Sequence, residues 1–385
     1  MTAFRDGQVT LRSNRREDGF TNALVEAGYQ RVIEGDVVIH AMDAFAGAIG
    51  VSDSTGKCSP VCQVLTPRRN FDGRFTVYAL RHASSAGYVQ CLSRGIRERS
   101  TDFRWNVARD VRTPAPCAAT QTAVASFLDR ECDRVRLLQD RVAALRVAEL
   151  AALESRRERI LLRGGETTRL KYGISALVDT SHATCPEVPD GGHWVIRTAG
   201  VRDGCIRLAG CYRTDDPGFA AWTQRRRPRP GDVVLTREAP AGEAAVIPSS
   251  GSWCLGQRSV LLVPKAQELM PAYLVMALYG STVQDEVRLR ARSTTAAHLN
   301  VSEIGDLRVP MPAVADQAVA VDEFAIAQAR CTSLLGATTE LAARLAEYRD
   351  ALITEAVTGQ LDVTKMSDAR MDERAHAALE GAVAS

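Results

Sequence analysis

The chain contains two copies of one sequence unit, and this repeat limits the folds open to it more than any other feature. Gly35–Ile39 (GDVVI) reappears 196 residues later as Gly231–Leu235 (GDVVL). At the same displacement, the Pro-x-Pro ending at Pro116 reappears at Pro312, and each is followed five residues later by a glutamine. A turn, a Pro-x-Pro and a glutamine at one shared displacement indicate an internal duplication. We therefore expect two similar domains that engage a partner through two similar sites.

Length and composition narrow the class of protein. The 385 residues, 45% of them hydrophobic and 24% charged, predict a folded, soluble protein with room for two or three domains. Nothing near Met1 reads as a signal peptide, and no apolar run reaches the roughly 18 residues of a membrane span, so we expect a cytoplasmic protein without a membrane partner. The ten cysteines are scattered and lack the tight pairs of a zinc site, which favours free thiols and no bound metal.

Two kinds of segment alternate along the chain. Short β-rich runs broken by Gly, Pro, Asn and Asp fill residues 1–116 and 165–312, which predicts two mixed α/β domains. Residues 117–164 and 313–360 lack proline and carry apolar residues at three- and four-residue steps, which predicts two long helices, followed by a tail at 361–385. Each helix has one narrow apolar stripe, so we expect the two helices to pair as an antiparallel coiled coil. A dimerisation coiled coil is the alternative.

Several segments resemble motifs of the specificity subunits of type I restriction-modification systems. They are Gly35–Ile39, Gly47–Ser52, Ala297–Ile304, Pro310–Pro312 with Gln317, and Leu345–Arg349. In that family, two target-recognition domains alternate with two helical spacers. Each domain reads one half of a bipartite double-stranded DNA sequence, and the helices space the halves while docking methyltransferase subunits. The resemblance covers nearly the whole chain and implies this architecture and this role.

The resemblance also assigns the chemistry to partner proteins. It implies a methyltransferase subunit that uses S-adenosylmethionine and a motor-nuclease subunit that uses ATP and magnesium, with no cofactor held by this chain. The residues agree with a non-catalytic subunit. Gly50–Cys58 has five residues between its glycines where a phosphate-binding loop has four, and it ends in cysteine where that loop has Ser or Thr, so we interpret it as a turn. No amino-methylation motif or Ser-His-Asp arrangement stands out.

The first copy departs from the family pattern at its beginning. The thirty residues Thr168–Arg197 open the second copy, and they have no equivalent before Phe4. We therefore expect the first domain to lack an opening strand and loop and to expose a sheet edge. A mis-assigned start codon, a split gene or a recombined allele would each produce such a chain.

Two arginine-rich segments are the candidate DNA contacts. They contain Arg94, Arg97, Arg99 and Arg104 in the first domain, and Arg288, Arg290, Arg292, Thr294, His298 and Asn300 in the second. Arginine suits phosphates and guanine edges, and the other side chains offer donors for either. An ordinary solvated surface is the alternative. The same two interpretations apply to Arg225–Arg229, which would fit a phosphate clamp.

The apolar stripes of the two helices supply the candidate spacer and docking residues. They are Leu138, Leu145, Leu334, Leu341, Leu345 and Tyr348. Two other functions stay open. A self-sufficient nuclease would need a carboxylate cluster that holds magnesium and would cleave DNA as the purified chain. A non-catalytic coiled-coil scaffold would bind DNA with little sequence preference.

Overall fold

The computed structural model describes most of the chain. The described residues are 1–15, 26–92, 102–291 and 298–365. They divide into two compact units, one formed by Met1–Ala144 with Gly336–Ser385 and the other by Leu145–Leu335. The fold class predicted from the sequence is confirmed, because each unit contains a mixed α/β domain and segments of two long helices.

The first α/β domain consists of short strands and helices, and the first long helix follows it and ends at Leu162. The elements are β1 (Thr2–Ala3), β2 (Val9–Thr10), β3 (Gln30–Val32), β4 (Val37–His40), β5 (Ile49–Val51), β6 (Gly56–Cys58), β7 (Cys62–Leu65), α1 (Gly73–Ser85), α2 (Tyr88–Leu92), α3 (Trp105–Ala108) and the long α4 (Ala118–Leu162). The central sheet has the order β5-β4-β7 with antiparallel pairing throughout. Helix α1 packs on this sheet and contributes Val77 and Leu80 to the core.

The second α/β domain and the second long helix follow. The elements are β8 (Thr167–Arg169), α5 (Leu170–Gly173), β9 (Ile174–Asp179), β10 (His193–Ile196), β11 (Val201–Arg202), β12 (Cys205–Ile206), β13 (Cys211–Thr214), α6 (Asp216–Trp222), β14 (Val233–Thr236), β15 (Ala244–Val246), β16 (Trp253–Leu255), β17 (Ser259–Pro264), α7 (Pro271–Leu278), α8 (Ser281–Arg290), α9 (Val301–Ile304), β18 (Arg308–Pro310) and the long α10 (Val314–Thr358). The central sheet has the order β15-β14-β17-β9, and β13-β10-β16 forms a second sheet.

The Gly-Asp turn of the repeat has the same structure in both copies. Asp36 and Asp232 are both buried, and the Oδ2 atom of each accepts a backbone hydrogen bond of 2.9 Å from the residue three positions earlier, Ile33 or Arg229. The glycine before each aspartate has a φ of +91° or +88°, a conformation that favours glycine over other residues. The duplicated motif is therefore a turn that orients the central strand, β4 or β14.

The repeated glutamine also has the same role in both copies. Gln121 accepts a hydrogen bond from the backbone N–H of Asp72 at 3.0 Å, and its Nε2 atom donates to the carbonyl of Pro116 at 2.7 Å. Gln317 makes the same pair of bonds in the second copy, at 2.8 and 2.8 Å. Each glutamine is buried. It therefore fastens the start of a long helix to the start of α1 or α7.

Removing this fastening is expected to destabilise the second unit. Gln317→Ala leaves the part-buried N–H of Met270 without its acceptor, which costs about 1–3 kcal/mol of unfolding free energy. Gln328→Ala, at an exposed position of the same helix, is the matched control and is expected to change stability by less than about 0.5 kcal/mol. Urea unfolding of the full chain measures both. Equal losses for the two variants would contradict the fastening role.

The two central sheets differ at one edge. In the second copy β9 pairs with the outer edge of β17, from Val260 with Asp179 to Pro264 with Ile174. In the first copy β7 holds the position of β17, and none of the residues described there, 1–15, 26–92 and 102–116, adds a strand beyond it. Within those described ranges, β7 is the last strand on its side of the first sheet, and the lack of an opening strand in the first copy stays a prediction.

The long helices pair within each unit. In the first unit, Val124 and Leu128 of α4 share a core with Leu352 and Val357 of α10. In the second unit, Arg146 donates to the carbonyl of Leu335 at 2.8 Å, and Arg163 near the end of α4 forms an ion pair with Glu323 near the start of α10. Increasing residue number in α4 therefore pairs with decreasing residue number in α10, as an antiparallel pair requires.

Candidate nucleic-acid interface

The two described arginines of the second candidate segment have different environments. Arg288 is exposed at the end of α8 and pairs with the exposed Asp285 at 2.7 Å. Arg290 is half-buried, where it pairs with Glu286 at 2.8 Å and donates to the backbone carbonyls of Glu303 and Asp306 at 3.0 and 3.3 Å. Arg290 therefore ties α8 to the turn after α9, whereas the Arg288 guanidinium lies at the surface. Arg292 and Thr294 lie outside the described residues.

Two more cationic side chains contact Asp306, whose carbonyl accepts a hydrogen bond from Arg290. The ammonium of Lys171 lies 2.9 Å from Asp306 and holds the pKa of that carboxyl below its usual range. Arg169 lies 3.3 Å from the same carboxylate. These contacts join the start of the second domain to its end, beside the pairing of β8 with β18. Ion pairs at Asp306 thus stabilise this part of the second domain in addition to its hydrophobic core.

Asn300 and its neighbours begin the short helix α9. The backbone N–H and the Nδ2 atom of Asn300 both donate to Glu303, at 3.3 and 2.9 Å, in a capping-box arrangement. Leu299 and Ile304 on either side are fully buried. The Leu-Asn-x-x-x-Ile signature is therefore a helix cap between two core residues. It fixes the position of the exposed Asn300.

His298 is held by a buried arginine. Arg237 Nη2 lies 2.7 Å from His298 Nε2, and His298 Nδ1 contacts the carboxylate of Glu238. A guanidinium cannot accept a hydrogen bond, so Nε2 of the ring must be the acceptor. The side chain of His298 stays about one-third exposed.

Arg237 joins three separate parts of the second domain. Its side chain is only 6% exposed, and besides His298 it donates to the carbonyl of Leu299 at 2.9 Å and to Asp179 at 3.1 Å. The network continues outward, because Glu238 pairs with Arg258 at 3.2 Å and Asp179 lies 3.2 Å from the ring of His182. The ends of β9 and β14 are thereby fixed to the segment before α9.

Arg237, Asp179 and Glu238 are not among the residues predicted from the sequence. The signal for them was a run of charge, Arg237 and Glu238, immediately after the fully buried strand β14. A charged residue that continues a buried strand is one whose burial requires a partner. That partner, Asp179, lies 58 residues earlier in the chain.

In the first copy, the structure describes only one of the candidate arginines. Arg104 is 75% exposed and pairs with Asp102 at 2.6 Å, just before α3. The neighbouring Trp105 is also exposed, by 54%. Arg94, Arg97 and Arg99 lie outside the described residues. An exposed guanidinium beside an exposed aromatic ring is suited to contact with nucleic acid.

The candidate helix residues fall into three groups by exposure. Leu345 is buried at 2% exposed, and Leu145 is 46% exposed. The others are half-buried: Leu138, Leu334, Leu341 and Tyr348. Leu145 therefore differs from the buried stripe position expected from its spacing. Other large apolar side chains on α4 are exposed as well, namely Leu137, Val147 and Leu150. The helix presents apolar surface as well as burying it.

Two features are absent from the described part of the chain, a metal-binding cluster and a membrane-spanning helix. No group of three or more His, Cys, Asp or Glu side chains in this part of the chain is placed to hold a metal ion. None of its helices is both long enough and apolar enough to cross a membrane. The loop-like Gly50–Cys58 lies on β5, β6 and their connection.

Comparison with known proteins gives a match in fold. No protein-family profile matches the chain, and no curated protein matches it significantly. A chain solved in a study of complex assembly and conformational transition of the type I R-M system is 17% identical, with a TM-score of 0.71 over 86% of this chain and 84% of that one. The HsdS subunit from Thermoanaerobacter tengcongensis is also 17% identical, with a TM-score of 0.54 over 86% and 82%. The resemblance seen in the motifs is thus confirmed for the fold.

Proposed function

We propose that this chain is the specificity subunit of a type I restriction-modification complex and recognises a bipartite sequence in double-stranded DNA. The observation that carries the proposal is the duplicated domain. Both copies use the same buried aspartate turn and the same buried glutamine fastening, and the fold is that of proteins from type I systems. Two equivalent domains are what a protein needs to read two half-sites.

Within each domain, we assign DNA contact to the exposed donors at the surface. Arg104 and Arg288 pair with carboxylates that are themselves exposed, so a phosphate can replace those partners at little cost. Asn300 and His298 are held in place by their hydrogen bonds to Glu303 and Arg237, and we propose Arg292 and Thr294 as base-reading residues. Arg237 positions His298, and Arg290 holds α8 in place without contacting DNA itself. Arg94, Arg97 and Arg99 have the same proposed role in the first domain.

We further propose that the helix pair docks methyltransferase subunits. The exposed leucines of α4 within the second unit, Leu145 and Leu150, would supply the apolar contact that such an interface needs. The partner methyltransferase would bind S-adenosylmethionine, and a motor-nuclease subunit would join through the complex with ATP and magnesium. This chain would contribute recognition and spacing and no catalysis, in the cytoplasm.

Selection from a pool of random duplexes tests the proposal. The full chain, assembled with its methyltransferase subunit, is expected to enrich a gapped motif with two defined halves. Each base pair read directly should contribute about 1–3 kcal/mol of discrimination. Enrichment without any sequence preference would favour the coiled-coil scaffold instead. Cleavage of the duplexes by the purified chain alone would favour a nuclease.

A further inference from the structure

The second unit contains a basic cavity that the recognition residues above do not use. It has a volume of about 250 Å³ and lies between the end of β9 and the segment after α6. Its polar lining consists mainly of Asp179, His182, Trp222, Gln224, Arg225 and Arg226. Val178, Leu255 and Leu261 contribute apolar side chains. All of these residues belong to one compact unit, so the cavity is a feature of the second domain itself.

Two hydrogen-bond donors of this lining are unused. Trp222 Nε1 and Arg226 Nε are buried atoms, and neither has a hydrogen-bond partner among the residues that the structure describes. Buried donors nearly always have an acceptor in a folded protein, because a buried donor without one is costly. Both atoms belong to side chains that line the cavity, and a ligand with several acceptor atoms would supply the partners that they lack.

The charges around the cavity favour an anion. Its one carboxylate, Asp179, is already engaged by Arg237 at 3.1 Å and by His182 at 3.2 Å. Arg225 donates to a backbone carbonyl, that of Asp179, at 2.9 Å, and pairs with no carboxylate among the described residues. Arg226 pairs with Asp232 at the long distance of 3.4 Å. With these carboxylates so engaged, the charged groups at the cavity keep an excess of positive charge, and a guanidinium is well suited to phosphate oxygens.

The first copy is not built in the same way. At the 196-residue displacement, Arg225–Arg229 (RRRPR) corresponds to Tyr29–Ile33 (YQRVI), which has one arginine where the second copy has four. In the second copy, Arg226 contacts the turn aspartate Asp232. In the first copy, the hydroxyl of Thr66 donates to the equivalent Asp36 instead, at 2.8 Å. The described first copy also lacks a counterpart of β9, whose end forms one wall of the cavity. Among the described residues, this arrangement is therefore present in the second domain and not in the first.

We propose that this cavity is a phosphate site that holds one backbone phosphodiester of the bound DNA. Arg225 and Arg226 supply the charge, and Trp222 Nε1 supplies a neutral donor. The site anchors the second domain on the duplex without reading bases, because phosphate contacts fix register and carry no sequence information directly. The residues of the cavity are the basis for proposing a phosphate ligand. The further statement that this phosphate belongs to DNA rests on the proposed function.

The salt dependence of DNA binding tests the site in the full chain. The measurement is the affinity for a mixed-sequence duplex at several salt concentrations. Arg225→Gln is expected to weaken binding and to reduce the slope of log K against log salt by about 0.9, the value for one phosphate contact. Trp222→Phe is expected to weaken binding with an unchanged slope, because the lost donor is neutral. Arg207→Gln, an exposed arginine outside the cavity, is the control.

The outcomes separate this site from the proposed function. If Arg225→Gln has the same slope as Arg207→Gln, and Trp222→Phe binds like the parent chain, the phosphate site is wrong, whatever the duplex selection shows. If Arg225→Gln reduces the salt slope but the parent chain enriches no motif in the duplex selection, the phosphate site is supported and the proposal of sequence-specific recognition is wrong. Inorganic phosphate that raises the melting temperature of the parent chain but not of Arg225→Gln, with no change in the DNA slope, would assign the cavity to free phosphate and overturn the DNA source.

Discussion

Replacing Leu345 by alanine is expected to lower the free energy of unfolding by about 2–5 kcal/mol, the cost of truncating a leucine in a packed core. Leu345 is 2% exposed on α10, within the first unit. Leu145 was predicted from the same kind of apolar stripe, but it is 46% exposed on α4. Leu145→Ala removes the same atoms from a solvated position, so we expect a change of less than about 1 kcal/mol. Urea unfolding of the two variants gives the comparison.

Polar substitutions at the same two positions separate stability from docking. Leu145→Asp should leave the melting temperature close to that of the parent chain and reduce co-purification with the methyltransferase subunit, if exposed leucines form the docking surface. Leu345→Asp should lower both, because it buries an unpaired carboxylate. Equal stability losses at Leu145 and Leu345 would contradict the burial pattern. Undiminished co-purification of Leu145→Asp would remove this residue from the docking surface.

Features with a local or periodic signal could be predicted from the sequence. The repeat located the aspartate turns and the glutamines, since a residue with one structural role in two copies is retained at one displacement. The proline-free stretches predicted long helices, and the structure has them at Ala118–Leu162 and Val314–Thr358. The unmatched opening of the second copy anticipated the strand β9, which has no counterpart among the described residues of the first.

Features that depend on long-range contacts could not be predicted. Arg290 looks like Arg288 in the sequence, yet the carbonyls of Glu303 and Asp306 occupy the guanidinium of Arg290. Arg237 required a partner that only the pairing of β9 with β17 brings near. Leu145 satisfies the spacing of an apolar stripe, but a stripe specifies a face of the helix and not how much of that face a neighbour covers. Whether the arginines of either segment contact DNA stays a prediction.

Exchange of the second domain is expected to change one half of the recognised sequence completely. The exchange replaces residues 165–312 with the corresponding domain of a different specificity subunit and keeps α10, with Gln317 still available to fasten the incoming domain. Base-edge contacts of one domain act on one half-site, so the other half and the gap should stay unchanged. Arg288→Ala in the parent domain is the control, since loss of a phosphate contact should weaken binding to all sequences similarly.

Methylome sequencing of a host that expresses this chain with its methyltransferase subunit tests the central claim most directly. The duplicated domain predicts methylated adenines within a gapped motif, and the exchange of residues 165–312 should replace one half of that motif and leave the other intact. A methylome without a gapped motif, or two unchanged half-sites after the exchange, would contradict the assignment of one half-site to each copy.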